Sequence, residues 1–534
     1  MYRVYQFFAA TLVGVAFMFG NCQPTKNSKP TLESSLAYTS GPAGREIPHW
    51  YAESTSAVIP PQGAPRGDSD CPKGRMLIST GSGAAGDPGT PAIIPRDLGD
   101  TTTADPSPIP HSSLGGLSAN DYLPVSGDNI LTRRKNGDLV LVWAGITWDP
   151  FPNDTPVWSG YDHVYGHKGV RGALFSWVSS DCGTSWQPLT TIDSGDSKLL
   201  NGDCGWPREG WHGGFDREEV YADPFTGNLY LTAGSVSGGH PSFKAPGRSH
   251  MLLFVLRPGA TSWELLVSFD GTNPQNQTNF ESVGAPVAMT TTEQGRLYLA
   301  QCVGDKPTLY WMDKEAIASG QKTLSGKADI FFGPEKPENQ KPENKCATLP
   351  AGSIAGNFAS YYASWPIISR WYAGPSSGVR IAYPAVEGGQ QVARIIAVND
   401  TSGPKIDVTP LTTLNAGNLS LLQAAFIEND PTEAKGKTDV TAMYWLAADQ
   451  KAMWASYTIF RGPIFQDVKY LSAADGNPRS WVPQLYAQWG GDYLRGAFFF
   501  DGKDLNYFMQ WPESDNSTTK PNLNLHYRII KVNP

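Results

Sequence analysis

Ser179-Ser180-Asp181-Cys182-Gly183-Thr184-Ser185-Trp186 is the stretch on which the reading of this chain turns. Its spacing, S-x-D-x-G-x-[ST]-W, packs a complete set of turn devices into one short segment. Asp181 can accept hydrogen bonds from nearby backbone N–H groups, and Gly183 can take φ > 0 without a Cβ penalty. Ser179 and Ser185 bring hydroxyls to the same local network, and Trp186 brings a ring to bury under the turn. Residues 173–178 and 187–192 on either side read as strands. The segment is therefore a hairpin clamp, and Asp181 is expected to be structural rather than catalytic.

The same rhythm continues outward. From about residue 128, apolar alternation and tight turns recur to the end of the chain. The first unit runs through residues 129–143, turning at Asn136-Gly137-Asp138, with the clamp hairpin as its outer half. The second pairs 219–233, turning within 223–228, with 251–269. The third holds 286–303, turning at Gln294-Gly295, and then 308–313. The fourth holds 365–372, 379–383 and 392–398. The fifth holds 422–428, 440–446 and 453–460. The last holds 482–489, 496–500, 505–511 and 525–532. Each unit is a four-stranded sheet of about 50–80 residues, the repeat of an all-β propeller blade. Six blades are expected, with seven as the alternative if the N-terminal region builds one. Only residues 313–319 suggest a short helical turn.

The clamp resembles the Asp-box, or BNR repeat, of sialidase-like β-propellers, and Ser179, Asp181, Gly183 and Trp186 are its structural residues. A degenerate second copy lies within 472–481, with Asp475-Gly476 and Ser480-Trp481. The phrase 216–224 (DREEVYADP), followed by 226–231 (TGNLYL), is similar to the blade-opening phrase of BNR-repeat proteins. The resemblance covers roughly residues 128–534 and implies a six-bladed sialidase-like propeller. Sialidases rely on an Arg triad, a Tyr–Glu nucleophile pair and an Asp acid/base, with the first Arg in an F/Y-R-I-P motif. Here the equivalent stretch is Asp128-Asn129-Ile130-Leu131, and Arg133 and Arg134 are displaced towards the turn. A divergent exo-sialidase is therefore disfavoured. Arg217, Arg370 and Arg495 are candidate partial replacements, and Tyr486 is a candidate last-blade Tyr.

Composition agrees with a folded, loop-rich β protein. The 534 residues include 56 Gly and 43 Pro, with 11% aromatic and 17% charged residues. A net charge of -8 gives no footprint for nucleic acid. Residues 1–22 read as a signal peptide, with Arg3 ahead of an apolar core at 7–19; Cys22 admits a lipoprotein signal, and thus a membrane tether, although Asn21 departs from a usual lipobox. Residues 23–120 read as a Pro/Gly/Ser-rich extension in which 75–80 is an added strand, and 121–534 as the propeller. The chain is expected to be secreted or on the cell surface and monomeric. Of six Cys, the sequence-local pairs are Cys182 with Cys204 and Cys302 with Cys346. Neither a zinc pattern nor any other metal site is present, no cofactor is called for, and a structural Ca2+ is not indicated. Sequons stand at Asn153, Asn276, Asn399, Asn418 and Asn516.

The chemistry-bearing residues cluster. Five of the eight His fall on three neighbouring loops of the first two of these six units. Tyr161, His163 and His167, with His212 and Asp216, are the catalytic candidates. Arg171, Arg217, Glu218, Trp158, Trp211, His240, Lys244 and Arg248 are the substrate-binding candidates. Trp and Tyr faces stack on sugar rings, and Arg or Lys pairs with carboxylates. Two carboxylates would serve a glycosidase. A His or Tyr base with Arg and Lys would serve a polysaccharide lyase. The expected function is a glycan-cleaving enzyme with its site at the channel mouth. A non-catalytic propeller that binds glycan or protein is the alternative, because a propeller alone does not fix function.

Overall fold

The structure is a computed structural model that describes residues 45–47, 55–80, 92–98, 107–108, 129–150, 167–193, 214–236, 249–268, 287–303, 305–332, 341–347, 366–373, 376–399, 408–414, 420–428, 440–448, 452–461, 464–465, 469–471, 479–480, 496–514 and 523–532. Among the described residues, seven antiparallel sheets follow one another. Blade 1 is Thr55–Ile59, Arg75–Thr80, Ala92–Asp97 and Ser107–Pro108. Blade 2 is Asn129–Arg133, Leu139–Pro150, His167–Ser179 and Ile192–Asp193. Blade 3 is Gly214–Ala222, Leu229–Val236, Ser249–Leu256 and Glu264–Ser268. Blade 4 is Ala288–Thr291, Leu297–Val303, Lys306–Met312 and Gly326–Asp329. Blade 5 is Ile367–Ala373, Ser376–Glu387, Gln390–Asn399 and Val408–Leu414. Blade 6 is built on Ser420–Glu428, Val440–Ala448 and Ala452–Arg461. Blade 7 is Ala497–Phe500, Leu505–Ser514, Leu523–Val532 and, from the other end of the chain, Arg45–Ile47.

The first strand of each blade contacts the first strand of the next, and the first strand of blade 7 contacts that of blade 1. That closed ring of first strands surrounds an axis, so the fold is a β-propeller. The six units expected from residue 128 onwards are blades 2–7. The alternative seventh is blade 1, built from residues 55–108. Residues 23–120 thus supply a whole sheet and the outermost strand of blade 7, where the composition had pointed to an extension with one added strand. In blade 7, residues 482–489 lie outside the described residues, and the fourth strand is Arg45–Ile47, in register with Leu525, His526 and Tyr527.

The core lies between blades. Each apolar cluster joins the facing surfaces of two neighbours: blades 1 and 2 through Leu77, Trp143, Phe175 and Trp177; blades 2 and 3; blades 3 and 4; blades 4 and 5; and blades 7 and 1. A strand packed on both faces loses polar alternation, which is why all of Thr55–Ile59 is buried. The only α-helix among the described residues is Lys314–Ala318, where residues 313–319 had suggested one. No helix there is long and apolar enough to cross a membrane.

The clamp forms as read. Asp181 Oδ1 accepts from Ser179 Oγ at 2.8 Å and from the Ser185 N–H at 2.9 Å, and Oδ2 accepts from Ser185 Oγ at 2.5 Å. The Gly183 N–H donates to Ser179 Oγ at 2.8 Å, with Gly183 at φ 79. Trp186 packs, partly buried, against the core of blades 1 and 2. The disulfide pattern corrects one expectation. Cys302 pairs with Cys346, but Cys182 pairs with Cys71, not Cys204. The partner lies 111 residues away in sequence yet adjacent in space, because blade 1 packs against the clamp of blade 2.

Candidate functional site

Up-and-down strand order fixes the two faces of the ring. The clamp follows the third strand of blade 2, so it shares a face with the turns between first and second strands, as the pairing of Leu139 with Ser179 requires. The opposite face carries the turns between second and third strands and the approaches to each first strand.

At that opposite face, blade 2 is long. Its second and third strands stay paired through Thr147–Arg171, Trp148–Val170 and Asp149–Gly169 to Pro150–His167, whereas the first strand pairs only as far as Trp143 with Asn129. The hairpin therefore projects beyond its own blade, with Arg171 and His167 along its end. The first strand of blade 3 contacts both of these strands. It begins at Gly214, and its register breaks between Asp216, opposite Gly234, and Glu219, opposite Thr232. Arg217 and Glu218 thus oppose the single residue Ala233. Such β-bulges re-aim side chains and occur preferentially near active sites. Glu218 is 1% exposed and Glu219 is partly exposed, so the two carboxylates have different surroundings. The structure therefore brings Asp216, Arg217, Glu218, Arg171 and His167 to neighbouring strands. Trp158, Tyr161, His163, Trp211, His212, His240, Lys244 and Arg248 lie outside the described residues.

A second constellation lies on the axis, nearer the clamp face. Tyr221 is the last residue but one of the first strand of blade 3, Thr290 and Thr291 end that of blade 4, Arg370 lies within that of blade 5 and Glu428 ends that of blade 6. Arg370 Nη2 stands 3.0 Å from Glu428 Oε2, and Arg370 Nη1 donates to Tyr221 Oη at 2.5 Å. Tyr221 Oη donates to Glu428 Oε2 at 3.2 Å. Thr290 Oγ1 and the Arg370 N–H both donate to Glu428 Oε1, the former at 2.6 Å. The Arg370 guanidinium lies 5.4 Å from the Phe225 ring centroid. Burial pushes the Tyr221 phenol far above its usual range; Arg370 opposes this without offsetting it, and the Glu428 and Asp223 carboxylates add to it. Tyr221 is therefore a neutral hydroxyl here.

No family model matches the chain, and no curated protein matches it. Among solved structures it is similar to the α-L-arabinofuranosidase of Fusarium graminearum in complex with an iminosugar inhibitor, at 11% identity over 78% of this chain and 94% of that one, TM-score 0.33. It is similar to the extracellular domains of Drosophila semaphorin 1b at 8% identity, over 90% of this chain and 86% of that one, TM-score 0.38. It is also similar to a neuraminidase-like protein from A/bat/Guatemala/164/2009 at 10% identity, over 76% of this chain and 86% of that one, TM-score 0.34. These are loose overlaps, and the propeller assignment rests on the chain's own strand order.

The other Arg candidates divide. Arg133 donates to the carbonyls of Arg66 and, at 3.4 Å, Gly137; Arg134 donates to the Arg257 carbonyl at 3.1 Å. Both stitch blade 2 to its neighbours on the clamp face. Asn129, the residue in the stretch compared above with the sialidase F/Y-R-I-P motif, is fully buried. Arg370 alone of the proposed replacements has a described side chain, and it is tied to Glu428. Arg495, Tyr486 and Asp475-Gly476 of the degenerate clamp lie outside the described residues. Sequence reasoning named Arg370 but not Tyr221, Thr290 or Glu428. All four are placed by consecutive first strands, and only the ring closure shows that they meet. Among the described residues, no group of three or more His, Cys, Asp or Glu is arranged to hold a metal.

Proposed function

We propose that this chain is a secreted, carbohydrate-active propeller that cleaves glycans, with its site at the channel mouth where the long blade 2 hairpin meets the approach to blade 3. Tyr161, His163, His167, His212 and Asp216 act on the scissile bond. Arg171, Arg217, Glu218, Trp158, Trp211, His240, Lys244 and Arg248 hold the sugar. The observation that carries the reading is the contact between the bulged first strand of blade 3 and the projecting strands of blade 2. It sets a carboxylate-bearing strand beside a His- and Arg-bearing one, on the face away from the structural clamp. His supplies a base near neutral pH without perturbation, and a buried carboxylate supplies an acid. The two disulfides suit an extracytoplasmic location.

Assay on a panel of neutral and uronate-containing polysaccharides tests this. Cleavage should be found, and His163→Ala, His212→Ala and Asp216→Ala should each lower it by about 10²-fold or more, the range for lost acid–base groups. New reducing ends alone would mark a hydrolase, and an unsaturated product absorbing in the near ultraviolet would mark a lyase. If all three variants keep full activity, the site lies elsewhere. Retention of glycan without turnover would leave a binding module.

A further inference from the structure

The Tyr221–Thr290–Arg370–Glu428 constellation lies outside the proposed mouth and has a geometry of its own. Its members come from four consecutive blades, 3 to 6. Blades 3 and 6 are not neighbours in the ring, because blades 4 and 5 stand between them. A hydrogen bond between Tyr221 and Glu428 at 3.2 Å therefore runs across the axis instead of between packed faces. Glu428 is the common acceptor. It takes bonds from Thr290 Oγ1, the Arg370 N–H, Arg370 Nη2 and Tyr221 Oη, one donor set for each of the other three blades. Asp223 extends the same tie, accepting from Thr291 Oγ1 at 2.9 Å.

The charges within the group balance: one guanidinium faces one carboxylate, with side-chain exposures of 6% and 11%. A group whose ionised members satisfy each other is poorly suited to capture a charged ligand and well suited to hold parts together. We infer that Glu428 is the keystone of a cross-channel latch that locks blades 3 to 6 into one cooperative unit. Interblade apolar packing couples only neighbours. The latch adds a direct coupling between blades three positions apart, near the level where the first strands of blades 3, 4 and 6 end. It is independent of the activity proposed above.

Native-state hydrogen exchange on the full chain tests the latch. Glu428→Gln keeps the shape and removes the charge; Tyr221→Phe keeps the ring and removes only the cross-axis hydroxyl. In either variant, amides of 219–222, 288–291, 367–373 and 420–428 should exchange about tenfold faster or more, together, while blade 1 stays unchanged. If Glu428→Gln does not fold, Tyr221→Phe carries the test alone. Acceleration confined to the blade that bears the substitution, or no acceleration at all, would overturn the latch.

Discussion

At Gly183 and Asp181, single residues decide whether the clamp can exist. A Cβ on Gly183 would come within 2.2 Å of Leu77 Cδ2, and its φ of 79 is unfavourable for any other residue. Leu77 is fully buried in blade 1 and cannot move aside freely. Gly183→Ala should therefore destabilise the fold by about 1–3 kcal/mol, the range for added strain with overpacking, read from a denaturant midpoint. Asp181 makes a pH-dependent contribution. Burial raises the pKa of its carboxyl, but hydrogen bonds from Ser185 and Ser179 outweigh that and hold it below the usual value. A carboxyl lowered in the folded state stabilises above the unfolded pKa and loses that contribution as pH falls through the folded one. The stability gap between the wild type and Asp181→Asn should thus be level near neutral pH and shrink below about pH 4. These roles were legible from the spacing alone. The partner of Cys182 was not, because a disulfide spanning 111 residues reports on which blades are neighbours, and spacing within one hairpin does not.

Elements differ in how plainly they announce themselves. The hairpins of blades 2 to 4 could be read because Gly137, Asp223 and Gly295 mark their turns and apolar runs flank them. The turns form accordingly, with Arg134 N–H bonded to the Asp138 carbonyl at 2.8 Å and Thr292 N–H to the Arg296 carbonyl at 3.0 Å. Blade 1 was obscured. Its first strand is buried throughout and shows no alternation, and its third contains Pro95, in register with Leu77. A Pro in a run argues against a strand, yet the ladder accommodates this one. Its connections are long, rich in Gly and Pro, and mask the strands between them. The three residues of Arg45–Ile47 carry no local signal at all; they are a strand only because blade 7 offers an edge. The mouth was half legible for the same reason. Sequence could show that His, Arg and carboxylates crowd neighbouring loops. It could not show the bulge at Arg217–Glu218, which exists only in relation to Ala233 on the partner strand.

Scaled up to the whole ring, blade 1 is the place where the molecule is most dependent on few contacts. Chain ends meet there: Arg45–Ile47 completes blade 7 on one side, and the Cys71–Cys182 disulfide ties blade 1 to the clamp on the other. Arg75 adds bonds to the Cys182 carbonyl at 3.1 Å and to Thr184 Oγ1 at 3.3 Å, and Thr55 Oγ1 accepts the Leu131 N–H at 2.7 Å. Removing the disulfide with the pair Cys71→Ala and Cys182→Ala should cost about 2–5 kcal/mol, as for other long covalent loops. Removing residues 1–50 should lower stability too, and leaves Leu523–Val532 as an unpaired edge strand prone to self-association. In either single change, blade 1 keeps one anchor and the ring still closes. With both removed, blade 1 is held by its buried faces against blades 7 and 2 and by the Arg75 and Thr55 hydrogen bonds to blade 2. The two losses share one structural consequence, so they should not add independently. A double-mutant cycle in denaturant should show a combined loss larger than the sum of the two. A strictly additive result would mean that face-to-face packing alone closes the ring.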